Sequence, residues 1–115
     1  MVLKIETRRV EPDITVVEFG GRITLGNESQ RIEPLVRGLL NRSEKKLIFD
    51  LSGVDYIDST GIGIVAFCSA AVAQADGALR LTLVSGGRVE QVLKATRLDN
   101  IIPCFATVEA ASQGF

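Results

Sequence analysis

The chain has 115 residues, 46% of them hydrophobic and 23% charged, with 13 Lys and Arg against 14 Asp and Glu and a formal net charge of −1. That is the length of one domain and the composition of an ordinary globule, which argues against intrinsic disorder, and the lack of any basic stripe argues against direct nucleic-acid binding. There is no histidine, which excludes Ser-His-Asp and Cys-His catalysis and every His-ligated metal site within this chain.

In chain order, Leu3 to Arg8 alternates apolar and polar residues, and Thr15 to Phe19 does so less cleanly. Both are expected to be strands, joined by a turn at Glu11-Pro12-Asp13 into an antiparallel hairpin. Ile32, Leu35, Val36, Leu39 and Leu40 then recur on one face of a helix, with Pro34 tolerated in its first turn. Whether a further turn precedes it, over 27–31, stays open. Lys46 to Leu51 is a nearly unbroken apolar run and predicts a central strand covered on both faces. Asp55 to Ser59 is expected to be a polar connection. Thr60 to Ala75 is apolar almost all round, which predicts a buried helix stopped by Asp76-Gly77. Leu79, Leu81 and Leu83 predict another strand. Ser85-Gly86-Gly87 turns into a helix bearing Val89, Val92, Leu93 and Thr96. Ile101-Ile102 is expected to be a short last strand, Thr107 to cap a short terminal helix, and Ser112 to Phe115 to fray. The order β-β-α-β-α-β-α-β-α implies an α/β fold. Its sheet should be mixed and mostly parallel, with about five strands, an opening hairpin and about four helices.

Cys68 and Cys104 stand far apart in apolar surroundings, as buried thiols of a reducing compartment do. The leading segment MVLKIETRR has no apolar signal core, and the longest uncharged stretch, Ser59 to Ala75, is too short for a membrane span. The expectation is a cytoplasmic protein without a membrane span, cofactor or metal. Arg8-Arg9 and Glu44-Lys45-Lys46 are expected to be solvated charges.

The informative segment runs from Asp50 to Gly63 and joins the central strand to the buried helix. Sites in open α/β sheets lie at the carboxyl ends of strands. Asp50, Asp55 and Asp58 gather there, with Ser59 and Thr60 at the start of the helix. Ser59 is placed to cap that helix, and Asp58 puts a negative charge near its positive end. Gly61 and Gly63 each cost about 1 kcal/mol of helix propensity relative to Ala. Close helix-to-sheet packing or exposure of backbone to a partner could offset that, and the residues alone leave both readings open. Enzyme readings fare poorly. Ser59 has no base, since Asp58 is adjacent and badly placed. Asp50 could resemble the phosphoacceptor of a receiver domain. Receivers, however, need an acidic pair after the first strand and a lysine near the last; here Arg8-Arg9-Val10 and Pro103 stand in those places. No Gly-x-x-x-x-Gly-Lys loop exists for a nucleotide.

Phe49-Asp50-Leu51-Ser52-Gly53-Val54-Asp55-Tyr56-Ile57-Asp58-Ser59-Thr60-Gly61-Ile62-Gly63 resembles the signature of the STAS family, the sulfate-transporter and anti-sigma-factor-antagonist domain. Gly21-Arg22-Ile23 is similar to that family's Gly-x-Leu/Ile, Val92 to Asp99 to its late helix and Leu-Asp turn, and Val108 to Ala111 to its final helix. The resemblance covers essentially residues 1–115, as one STAS domain. It implies an anti-sigma factor antagonist, not an enzyme. Such a protein binds an anti-sigma factor that is also a serine kinase of the histidine-kinase-like ATPase fold, and so releases a sigma factor. Phosphorylation ends the binding, and a serine phosphatase resets it. Carried onto this chain, the acceptor is Ser59, with Thr60 a weaker candidate. The partner-binding surroundings are Asp55, Asp58, Thr60, Gly61, Gly63 and Thr24. A second reading is a non-switching STAS scaffold, within a signalling complex or a lipid-transport ATPase. Two residues depart from the pattern. Thr24 replaces a frequent Asp, which bears on the identity of the kinase. Arg97 replaces a frequent Gly, which bears on how the late helix stops.

Overall fold

A computed structural model describes residues 3–26 and 28–115. Met1 and Val2, part of the segment read as lacking a signal core, and Asn27, at the start of the segment left open, lie outside the described residues. Strand β1 (Lys4–Val10) pairs antiparallel with β2 (Ile14–Ile23), with Lys4 opposite Gly20 and Val10 opposite Ile14. A single 3-10 turn at Ser29–Arg31 leads into α1 (Ile32–Asn41). Then follow β3 (Lys46–Ile57), α2 (Ser59–Gln74), β4 (Ala78–Thr82), α3 (Arg88–Ala95), a 3-10 turn at Leu98–Asn100, β5 (Cys104–Phe105) and α4 (Val108–Ser112). The sheet runs β1-β2-β3-β4-β5, parallel from β2 onward. The expected α/β order and mixed sheet are therefore present.

The alternation of strand side chains divides the core in two. On one face Val17, Phe19, Leu47, Phe49, Leu51 and Leu81 meet the apolar sides of α1, α2 and α3. Phe49 is fully buried and takes the Phe19 ring edge-on, with centroids 5.0 Å apart. Such a pair is worth about 0.5–1.5 kcal/mol beyond its buried area. On the other face Ile14, Val16 and Ile48 pack under Ala111 of α4, with Phe105, Val108 and Phe115 around them. Strand β3 is thus covered on both sides, as its apolar run predicts.

Four expectations need correction. Helix α2, expected to be buried, buries only the stripe Gly61, Val65, Cys68 and Val72 and leaves Phe67 41% exposed. The segment Asp55 to Ile57 belongs to β3 and not to a connection. Between Glu18 and Gly20, and again between Gly21 and Arg22, β3 carries one residue more than β2. These two bulges expose Ser52, Gly53 and Asp55 and break the alternation that would mark a strand. The last strand is Cys104–Phe105, not Ile101-Ile102, because a 3-10 turn brings Ile102 into the core and leaves Ile101 70% exposed. The tail does not fray. Arg80 donates to the carbonyls of Ala111, Gln113 and Gly114 at 2.7, 2.7 and 3.0 Å, and its guanidinium lies 4.2 Å from the Phe115 ring centroid.

Arg97 follows α3 with φ 64 and ψ 17, the left-handed conformation that a glycine supplies without strain. The helix thus stops in the manner of the glycine pattern although the glycine is absent. Some of the surface charges form exposed pairs, including Arg8–Glu18 at 2.6 Å and Lys46–Asp13 at 2.8 Å, each of small energetic weight. Glu44 accepts from the Thr15 hydroxyl at 2.8 Å, and that bond, followed by Arg42, holds its carboxyl below the ordinary range. No described helix is long and apolar enough to cross a membrane.

Candidate functional site

The carboxyl ends of β2 and β3 meet at the pair Ile23–Ile57. One residue further, the Asp58 N–H donates to the Ile23 carbonyl at 3.2 Å, so the sheet holds the chain up to the residue where α2 begins. Asp58 is extended (φ −104, ψ −174), and its Oδ1 accepts from the Gly61 N–H at 2.9 Å. That is an N-cap reaching the third helical residue. Its Oδ2 accepts from the Leu25 N–H at 3.3 Å. The cap is therefore Asp58 and not Ser59 as expected from sequence. A carboxylate can accept one N–H on each oxygen, and here one serves α2 while the other ties down the loop after β2.

Displaced from the cap, Ser59 is the first residue of α2 and is exposed. Its hydroxyl makes no hydrogen bond among the described residues. Thr60 is half-buried beside it. Thr24 stands between Ile23 and Leu25, both of which bond to Asp58, so the loop sets Thr24 next to the start of α2.

The two glycines divide by role. A Cβ on Gly61 would lie 2.3 Å from the Ile23 carbonyl oxygen and 2.7 Å from Ile57 Cγ1, so only hydrogen fits there. A Cβ on Gly63 would meet nothing within 4 Å, and the residue is exposed. Close packing accounts for Gly61 and does not account for Gly63.

The three carboxylates do not converge. Asp50 turns back to accept from the Ser52 N–H at 3.0 Å and its hydroxyl at 2.6 Å. Asp55 lines a recess of about 360 Å³ with Arg22, Tyr56 and Arg88. No group of three or more Asp, Glu, Cys or His residues able to hold a metal ion occurs among the described residues. Sequence reasoning passed over Leu25, which is 75% exposed beside Asp58. A lone apolar residue between Thr24 and Gly26 in a loop was the available signal. It also passed over Arg22 and Arg88, whose guanidiniums both lie near the Tyr56 ring with no periodicity to link them.

The model of the STAS domain family matches residues 5–111. A Thermotoga neapolitana protein, named as a candidate anti-sigma factor antagonist and homologue of TM1081, is 33% identical over 72 residues, 63% of each chain. The chain thus spans just under two thirds of that relative's length. Among solved structures, an anti-sigma factor antagonist from Mycobacterium paratuberculosis superposes with a TM-score of 0.81 at 19% identity, covering 95% of this chain and 90% of the other. The phosphorylated form of the Bacillus cell fate determinant SpoIIAA superposes with a TM-score of 0.69 at 17% identity, covering 94% and 96%. At these identities the likeness is one of fold.

Proposed function

The chain belongs to the STAS domain family, and from that premise we propose that it is an anti-sigma factor antagonist switched by phosphorylation of Ser59. It binds an anti-sigma factor that is also a serine kinase and thereby frees a sigma factor. The kinase transfers the γ-phosphoryl group of ATP to the Ser59 hydroxyl. The oxygen–phosphorus bond forms as the β–γ anhydride breaks, ADP leaves, and the hydroxyl proton passes to the kinase. A phosphatase reverses the state when water displaces phosphate from Ser59.

The observation that carries this reading is the exposed Ser59 hydroxyl at the first position of α2, with the capping role taken by Asp58. With Asp58 as the cap, the Ser59 hydroxyl has no role in holding the helix and is open to a kinase. The added charge of about −1.5 to −2 would sit at a helix N-terminus, which favours anions, so the fold should survive modification. A partner covering Thr24, Asp58, Ser59, Thr60 and Gly63 would then have to desolvate a dianion beside Asp58. A loss of about 3 kcal/mol would weaken binding roughly a hundredfold. Gly61 serves this face from beneath, by letting α2 approach β2. The fold relative known in a phosphorylated form, and the relative named as a candidate antagonist, support the same reading.

The test is phosphopeptide mass spectrometry on protein recovered from its host and after incubation with host lysate and ATP. One phosphate on Ser59, absent in Ser59→Ala, is expected. Phosphate on Thr60 would move the acceptor. No phosphate under any growth condition would favour the non-switching scaffold. Unchanged affinity of phosphorylated protein for its kinase would end the switching reading.

A further inference from the structure

We propose that the recess between Arg22, Tyr56 and Arg88 is a docking point for an acidic segment of the protein partner that covers Ser59, an inference that rests on the reading above for which protein presents the segment. Arg22, near the end of β2, pairs in register with Tyr56 of β3. Its guanidinium lies 4.7 Å from the centroid of the Tyr56 ring, and that of Arg88, the first residue of α3, lies 5.6 Å from the same ring. Both distances are within cation–π range, so one aromatic side chain gathers two cations from two elements.

The other described arginines with close polar contacts are differently placed. Arg8, Arg9, Arg37 and Arg42 each face a carboxylate within 4.0 Å. Arg80 is used up by three carbonyls, and Arg31 donates to the Leu3 carbonyl at 3.4 Å. Neither Arg22 nor Arg88 has an ion pair among the described residues, although Asp55 lines the same recess. The ring attracts each guanidinium but does nothing to relieve the repulsion between them. A carboxylate arriving from outside is attracted by both.

Place and shape select the occupant. The Arg22–Tyr56 pair stands next to the Ile23–Ile57 pair from which the chain enters α2, so the recess lies at the same end of the sheet as Ser59. The recess, of about 360 Å³, is built from exposed Arg22, Asp55 and Arg88 around a half-buried Tyr56. Small-ligand sites enclose most of the ligand. An open rim of charge fits side chains carried on another protein's surface, where complementary charge sets approach and orientation.

The test is an amide NMR titration with a decaglutamate peptide at about 20 mM salt, with inorganic phosphate as a second arm. Saturable shifts are expected at Arg22, Tyr56 and Arg88. Their affinity should fall about tenfold or more in the Arg22→Gln/Arg88→Gln double variant and on raising salt to about 300 mM. Asp55→Asn, which removes a repelling carboxylate, should strengthen the peptide's binding. The spectra themselves report whether each variant is folded. Shifts spread over Arg8 and Arg9 and indifferent to the double variant would overturn the proposal. So would saturation by phosphate with no response to the peptide. Neither readout involves phosphorylation of Ser59, so failure here and failure of the switch are told apart.

Discussion

Gly61 stands so close to Ile23 that a methyl group on it would lie 2.3 Å from the Ile23 carbonyl oxygen. That oxygen already accepts the Asp58 N–H, so it is held in place and cannot retreat without breaking the join between β2 and α2. Gly61→Ala should therefore destabilise the fold by about 2–3 kcal/mol through overpacking. Gly63→Ala, four angstroms clear of any neighbour, should stabilise it by about 0.5–1 kcal/mol through helix propensity alone. Thermal unfolding of the two variants side by side should move Tm in opposite directions. Equal losses would mean that Gly63 has a packing role the geometry does not display.

Asp58 joins two elements through one carboxylate, with Gly61 on one oxygen and Leu25 on the other. Asp58→Ala should cost about 1–2 kcal/mol, the upper end of a cap deletion, because the loop loses its tie as well. Asp58→Asn keeps one acceptor and should cost less than half as much. Hydrogen exchange at the Leu25 and Gly61 amides should quicken in the alanine variant. Exchange at Leu25 unchanged would show that the loop is held without the carboxylate.

The parts of this fold legible in sequence are those where one period governs. The helical spacing from Ile32 to Leu40 and the apolar run from Lys46 to Leu51 both became the elements they announce. Where two demands overlap, the pattern misleads. The bulges in β3 insert residues at positions that face solvent, so Asp55-Tyr56 reads as a loop although it lies in the sheet. Ser59 and Asp58 are both good caps by type, and only the backbone decides between them. The left-handed Arg97 keeps a glycine's conformation without its residue, which no local propensity would suggest. The meeting of Arg22 and Arg88 at the Tyr56 ring joins β2, β3 and α3, far apart in sequence, and was invisible for that reason.

Arg80 reaches from β4 to three carbonyls of the C-terminal segment and lies over the Phe115 ring, with Phe105 5.7 Å away. This segment covers the smaller of the two cores. Arg80→Ala should cost about 2–3 kcal/mol, since hydrogen bonds from a charged donor are worth more than neutral ones. The loss should be local: amides of α4 should exchange faster while those of α2 keep their protection. Uniform acceleration would mean that α4 is integral to the cooperative core. Arg80→Lys should rescue little, because an ammonium cannot span three carbonyls as a planar fork does.

Cys68 faces the core from α2, and its burial, reinforced by Glu33, pushes the thiol up to about 12 from 9.0. Cys104 is only half-buried; burial raises it too, and its Sγ donates to the Ile102 carbonyl at 3.3 Å. At pH 8 a thiol reagent should modify Cys104 well before Cys68, because the thiolate is the reactive form and Cys68 is both protonated and enclosed. Mass mapping of partial alkylation reads the order directly. The same shift has a consequence for stability. Below pH 9 the thiol is protonated in folded and unfolded chains alike, and its burial costs nothing further. Between pH 9 and 12 the unfolded chain ionises the thiol while the folded chain holds the proton. Stability should therefore fall with rising pH, by up to roughly 1.4 kcal/mol per pH unit from this group. Cys68→Ala has a smaller core residue and should be less stable at pH 8, yet lose less between pH 8 and 10.5. Urea midpoints of both proteins at the two values test this. Parallel declines would assign the alkaline loss to other groups.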